Sequence, residues 1–205
     1  MDILLNFINR SNDQNNTAVF LFQKNAATQQ AELATAWKVI RHCGYNCSHP
    51  LVYASVLEAS ISDEYGNYSP RRTVRTGELY TVSQLPVGRR FGHGGNNLST
   101  KDFAIRNDLP RGAVNVSVYN QGRLLAKKTN VAPEQKAVFQ FFPALWIGAA
   151  AQVVEGQTLD SAILNDVNTE LSLVGIASAD IVMTGGGLGR DALPLQFSFE
   201  NIVLA

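Results

Sequence analysis

Apolar and polar residues alternate along most of this chain. Strand-like runs cover 17–23, 36–41, 51–61, 79–83, 103–107, 113–119, 124–128, 137–142, 145–154, 171–176, 180–184 and 195–203. Val, Ile, Phe, Tyr and Thr fill them, the residues that suit a pleated, half-buried surface. Val114, Val116 and Val118 alternate with Asn115, Ser117 and Tyr119. A strand puts the three valines on one face, and a helix would not. Turn chemistry separates the runs. Asn120-Gln121-Gly122 joins two of them as a tight hairpin, and Thr76-Gly77 and Leu109-Pro110-Arg111-Gly112 break others. Turns recur about every 8–12 residues, the spacing of a sandwich or barrel.

The pattern therefore predicts an all-β protein, an antiparallel β-sandwich, either one large or two tightly packed small ones. At most one or two short helices are expected, at 29–35 and where Leu159, Ile163, Leu164 and Val167 fall at helical spacing. Val138, Phe139, Phe141, Trp146 and Ile147 are expected in the core. The chain reads as a single compact unit, 1–205, whose one candidate seam lies near 92–100. An internal echo runs through it. The strand–loop–strand unit at 3–9 and 17–23 resembles that at 103–107 and 113–119, an offset near 100 residues, as an old duplication would leave.

Composition narrows the classes. Apolar residues make up 45% of the 205, so a packed core is available. Charged residues are only 17%, and 17 asparagines supply much of the missing polarity. Lys+Arg equals Asp+Glu, so a general nucleic-acid binder is not expected. The start, Met1-Asp2-Ile3-Leu4-Leu5-Asn6, has no basic n-region, so no signal peptide is read and the expected location is cytoplasmic, with unconventional export left open. The longest apolar run, 144–151, falls far short of the ~18 residues a transmembrane segment needs. Six N-x-S/T sequons, at Asn9, Asn15, Asn46, Asn67, Asn97 and Asn115, follow from Asn, Ser and Thr richness. The zero net charge hides two blocks: residues 71–136 hold 12 Lys/Arg and 4 Asp/Glu, whereas 153–200 hold 7 Asp/Glu and one Arg. Such blocks can pair within the chain or between copies in a homo-oligomer.

Five stretches carry candidate chemistry. His42, Cys43, Cys47 and His49 gather the soft ligands in what reads as a hairpin loop. A disulfide, free thiols and a metal site all fit it, although adjacent His42 and Cys43 diverge along a strand and the spacing is poor for zinc. The 185–190 glycine run with Arg190 has backbone N–H groups for an anion, but it leads into a strand and lacks P-loop residues, so it reads as a hairpin tip. The 92–97 stretch, with His93, Asn96 and Asn97, reads as a mobile loop. Asp63, Tyr65, Asn67 and Tyr68 mark a turn rich in carboxylate, amide and phenol groups; calcium suits its oxygens and sugars its aromatic faces, it does not fit the EF-hand loop, and a plain turn accounts for it without any ligand. Arg71, Arg72, Arg75, Arg89 and Arg90 face Glu78 alone over twenty residues. They suit phosphate or sulfate, or serve as a charged strand edge that resists aggregation. No G-x-S-x-G, H-E-x-x-H or S-x-x-K motif occurs, so neither an enzyme nor a cofactor is expected.

The cadence Ile105-Arg106-Asn107, Val114-Asn115-Val116, Gly122, Val131-Ala132-Pro133, Phe139-Gln140-Phe141 resembles small β-sandwich binding proteins, among them fungal and bacterial lectins and membrane-binding cytolysins. It covers about a fifth of the chain, and no residue role is carried over from it. The expected function is a non-enzymatic, lectin-like or membrane-surface-binding protein whose loops recognise a glycan or a polar lipid head group. The binding positions expected are Asp63, Tyr65, Asn67, Tyr68, His93, Asn96 and Asn97. A self-assembling structural protein is the alternative, and a small metal or redox site at His42, Cys43, Cys47 and His49 is the second.

Overall fold

A computed structural model describes residues 2–13, 17–27, 34–167 and 169–205. It is all-β. Among the described residues, sixteen strands form four sheets of four, with one six-residue α-helix and one three-residue 3-10 turn. The helix, α1 (Ser161–Asp166), takes its cap from Asp160, whose carboxylate accepts from Ile163 N–H at 2.8 Å. The helix expected at 29–35 lies almost wholly outside the described residues.

The chain divides into two compact units. The terminal unit takes Met1–Gln23, Leu33–Ser55 and Pro143–Ala205, and the central unit takes Lys24–Glu32 and Val56–Phe142. The seam expected near 92–100 lies inside the central unit.

In the central unit, one sheet runs in the order β11 (Arg123–Val131), β10 (Val114–Asn120), β5 (Leu57–Ser62), β6 (Arg72–Val74). The other runs β12 (Lys136–Phe139), β9 (Phe103–Asn107), β7 (Glu78–Leu85), β8 (Gly88–Asn96). Strands β7 and β9 are parallel, and every other pair is antiparallel. The two sheets share one core, built from Val116 and Val118 on one side and Val82, Phe103, Ile105 and Phe139 on the other. Phe139 stacks on Phe103 with ring centroids 5.4 Å apart. Of the expected core residues, Phe139 and Ile147 are buried, while Val138, Phe141 and Trp146 are half-buried.

In the terminal unit, one sheet runs β14 (Thr169–Ser172), β13 (Ala144–Ala150), β2 (Ala18–Phe22), β3 (Lys38–Ile40). The other runs β16 (Leu193–Leu204), β15 (Ile176–Gly186), β1 (Ile3–Asn9), β4 (Ser48–Tyr53). Here β1 and β15 are parallel and all other pairs antiparallel. Strand for strand, β13–β16 followed by β1–β4 repeat the order, neighbours and polarity of β5–β12. Along the chain, β1–β8 and β9–β16 are thus two tandem copies of one eight-strand order, and each copy gives one half to each unit. The strands of the sequence echo, β1 with β9 and β2 with β10, hold equivalent places.

Hydrogen bonds repeat as well. Asn9 N–H donates to Cys47 O, Asn46 N–H donates to Asn9 O, the Asn9 side chain donates to Cys43 O at 2.7 Å, and its oxygen accepts from Ser11 N–H. Asn107 makes the same four bonds, with Gln135 O, Glu134 N–H, Val131 O at 2.9 Å and Leu109 N–H. Both asparagines are buried and end equivalent strands, where each side chain ties its strand to the turn opposite.

Three sequence readings are corrected. The 51–61 run is two strands, β4 and β5, in different units. Continuous alternation hid the break, which forms where Ser55 N–H and Oγ donate to the Asp2 carboxylate at 2.9 and 3.1 Å. Residues 92–96, read as loop, finish strand β8, hydrogen-bonded to β7. Glycine there serves close packing, since a Cβ at Gly94 would fall 2.5 Å from Thr81 Cγ2. The segment with the cysteines is no hairpin, because β3 and β4 belong to different sheets. The hairpin at Gln121-Gly122 forms as read, with φ of 51° and 74° at its two central residues.

Candidate functional site

The central unit has an open corner where the β5–β6 connection meets the β7–β8 hairpin. Asp63 builds the first wall. One carboxylate oxygen accepts Tyr65 N–H at 3.0 Å and Asn67 N–H at 2.9 Å, and the other accepts the Asn67 amide at 3.0 Å. An aspartate bonding to the backbone two residues on folds its own turn. Those donors, the Asn67 side chain foremost and Arg89 least, hold the Asp63 carboxyl below the usual carboxylate range. The turn leaves Tyr65 and Tyr68 78% and 65% exposed, which places two flat apolar faces at the rim.

The second wall is β8. Its hairpin closes at Leu85 and Gly88 and sends Arg89 and Arg90 outward. Arg89 Nη1 lies 3.3 Å from Asp63 Oδ2, so one ion pair ties the two walls together. Between them lies a hollow of about 660 Å³ lined by Tyr65, Tyr68, Arg72, Arg89, Arg90 and Phe91, among others. A second hollow, of about 570 Å³, shares Tyr65, Gln84 and Arg89 with it and adds Arg111 and Glu64.

The structure thus joins two stretches that the sequence presented separately, the Asp63–Tyr68 turn and the arginines. Asp63, Tyr65, Asn67 and Tyr68 all line the larger hollow. Arg111 and Gln84 were not singled out in sequence; for Arg111 the only signal was the basic excess of 71–136. His93, Asn96 and Asn97 do not line it. His93 is exposed and rests edge-on against Tyr80, 5.9 Å between centroids. The Tyr80 hydroxyl donates to Glu78, and burial first and that bond second push its pKa up to about 12. The Asn97 amide donates to the Asp102 carboxylate at 2.5 Å, and Asn96 is exposed near the end of the hairpin.

The remaining candidates lie outside this corner. Cys43 and Cys47 are free thiols, and burial raises the Cys43 pKa. Among the described residues no three His, Cys, Asp or Glu side chains are grouped to hold a metal, the His42–His49 segment included. In the 185–190 run, Gly185 O accepts Asn12 N–H and Gly187 N–H donates to Asn12 O, so these backbone groups clamp the β1–β2 connection. No helix among the described residues is long and apolar enough to cross a membrane.

The same corner exists in the terminal unit with other chemistry. Arg10 N–H donates to Met183 O and Asp108 N–H to Val82 O, each one residue past its clamping asparagine, so Met183 matches Val82. Met183 pairs with Phe197, and Val82 with Phe91. Counting back along each strand, Gln196 stands for Arg90 and Leu195 for Arg89. The hollow there, about 320 Å³, is lined by Phe20, Ile163, Val167, Leu195 and Phe197, with Asp166 and Thr169 as its polar side chains.

The chain matches no protein-family model, no curated protein and no solved structure. The roles assigned below therefore rest on its own residues.

Proposed function

We propose that this protein is a non-enzymatic, lectin-like binding module that receives a glycan in the corner of its central unit. One observation carries the reading: two largely exposed tyrosines stand at the rim of a hollow of about 660 Å³, on a turn that Asp63 braces internally and pins to Arg89. A pre-formed hollow with aromatic faces and a few convergent polar groups is what a small-ligand site needs. Tyrosine rings cover sugar faces, while Asn67, Gln84 and the tyrosine hydroxyls suit sugar hydroxyls. Loops on a rigid sandwich are where binding residues usually sit. A glycan array followed by titration tests it: wild-type protein binds at least one glycan, and Tyr65→Ala with Tyr68→Ala weakens that binding about tenfold or more while strand content is kept. Unaltered binding by the folded double variant overturns the site.

Self-association is a second reading, favoured by charge. The terminal unit holds 4 Lys/Arg and 9 Asp/Glu, net −5, and the central unit 13 and 8, net +5. The ion pairs Arg10–Glu200, Arg89–Asp63 and Arg106–Asp108 each join residues of one unit. Copies attracting through opposite charges separate as salt shortens the Debye length from ~10 Å at 0.1 M to ~3 Å at 1 M. Light scattering that shows a monomer at every salt concentration eliminates this reading.

A further inference from the structure

Arg72, Arg89, Arg90 and Arg111 line the two adjoining hollows of the central unit, against the carboxylates Asp63 and Glu64. Asp63 is matched by Arg89. Among the described residues, no carboxylate lies within ion-pairing distance of Arg72, Arg90 or Arg111, and all three are exposed. The fold does not require this charge. The equivalent strand of the terminal unit, also at a sheet edge, carries Leu195 and Gln196 in place of Arg89 and Arg90. Protection of an open edge therefore does not explain the arginines, since β16 is open without them. Nor does internal bracing, because only Arg89 is used for it.

A guanidinium offers planar, paired N–H donors that fit carboxylate and sulfate oxygens two at a time. Several of them in one concave site focus a positive potential there. Beside them stand the faces of Tyr65 and Tyr68. We infer that the ligand of this corner is an anionic saccharide, bearing sulfate or uronate groups, with Arg72, Arg90 and Arg111 reading its charge and Tyr65 and Tyr68 its rings. This rests on the glycan reading above and adds the ligand's charge. In the terminal unit the same corner lacks both the arginines and the tyrosines, so the saccharide binds one site per chain.

The test is calorimetric titration of the full chain, at low and high salt, with four probes. These are a sulfated glycosaminoglycan hexasaccharide, its desulfated and carboxyl-reduced counterpart, a neutral chito-oligosaccharide, and vesicles containing phosphatidylserine. The sulfated probe is expected to bind at one site per chain, about tenfold or more tighter than the neutral ones, and to weaken as salt rises. Arg72→Gln with Arg90→Gln removes that preference, and Tyr65→Ala weakens charged and neutral saccharides alike. Arg71→Gln with Lys127→Gln changes net charge equally outside the hollow, where Arg71 lies 3.8 Å over the Tyr119 ring, and leaves the preference intact. All five substituted residues are exposed, so the variants keep the fold. Neutral saccharides bound as tightly, through Tyr65 and regardless of the arginines, overturn the inference and leave the glycan site standing. Binding to vesicles alone assigns the arginines to lipid phosphate and overturns it. A control pair as damaging as the arginine pair reduces the effect to net charge and overturns it too. Failure of every probe removes both readings.

Discussion

The central and terminal units share strand order, polarity and the asparagine that ties a strand to the opposite turn, yet their surfaces diverge. In the terminal unit, β2 is buried at all five positions. The 150–167 segment covers its outer face, where Phe20 and Phe22 pack against Val153, Leu159 and Val167. In the central unit the equivalent β10 alternates, with Val114, Val116 and Val118 inward and the half-buried Asn115 and Tyr119 on the other face. The short β5–β6 connection leaves the central corner open, whereas the long β13–β14 connection carries α1 to the terminal corner and leaves a hollow half the size, lined by neither arginine nor tyrosine. The pairing pattern sets the framework, and connection length and edge-strand residues set what each copy can bind.

The comparison breaks most readily at its most unusual point, the exchange of halves. A protease site inserted at Ser99-Thr100, beside the 98%-exposed Leu98, cuts between β8 and β9. Each unit contains strands from both fragments, so the cut protein is expected to elute at intact mass and to separate only in denaturant. Fragments that part in native buffer refute the exchange. Next in size is the central core. Phe139→Ala leaves a cavity between Phe103 and Phe141 and is expected to cost about 3–5 kcal/mol in urea unfolding. A loss under ~1 kcal/mol means that the ring is not where the two sheets meet.

The shared clamp comes third. Asn107→Ala orphans the carbonyls of Gly112 and Val131 and the Leu109 N–H, for about 3 kcal/mol. Asn9→Ala orphans the Cys43 carbonyl and the Ser11 N–H and hydroxyl, and is expected to cost a similar amount, about 3 kcal/mol. A large loss at one asparagine and none at the other, measured by denaturant midpoints, contradicts the match between the two turns. A smaller effect separates the corners by pH. The Asp63 carboxyl is depressed, so its bracing is complete above the ordinary value near 3.8 and lost as pH falls through the lower folded value. Amide resonances of Tyr65 and Asn67 are expected to hold steady down to about pH 4 and move below it, and Asp63→Asn to abolish the movement. Smallest of all is Cys43→Ser with Cys47→Ser, expected to cost under ~1 kcal/mol because Val131 and Gln135 form the equivalent turn without sulfur. A large loss in the reduced protein shows that the thiols do more than fill the turn.

Much of this was legible in the chain because it is local. Period-two alternation marks β9 and β10 to within a residue, since neighbouring side chains on a pleat point to opposite faces. Gln121-Gly122 and the Asp63 turn follow from their own backbone and side-chain bonds. The basic excess of 71–136 announced the charge of the corner. Tertiary structure alone decided the rest. The division of the 51–61 run, the recruitment of glycine-rich β8, and the pairing of β1 with β15 across more than 160 residues depend on which distant edges and apolar faces match. That choice leaves no mark on neighbouring residues, and a one-residue slip would turn every buried side chain outward. The meeting of Tyr65 and Tyr68 with Arg89 and Arg90 is of the same kind: packing of the β5–β6 sheet against the β7–β8 sheet brings their two segments together, and no spacing within either one encodes it.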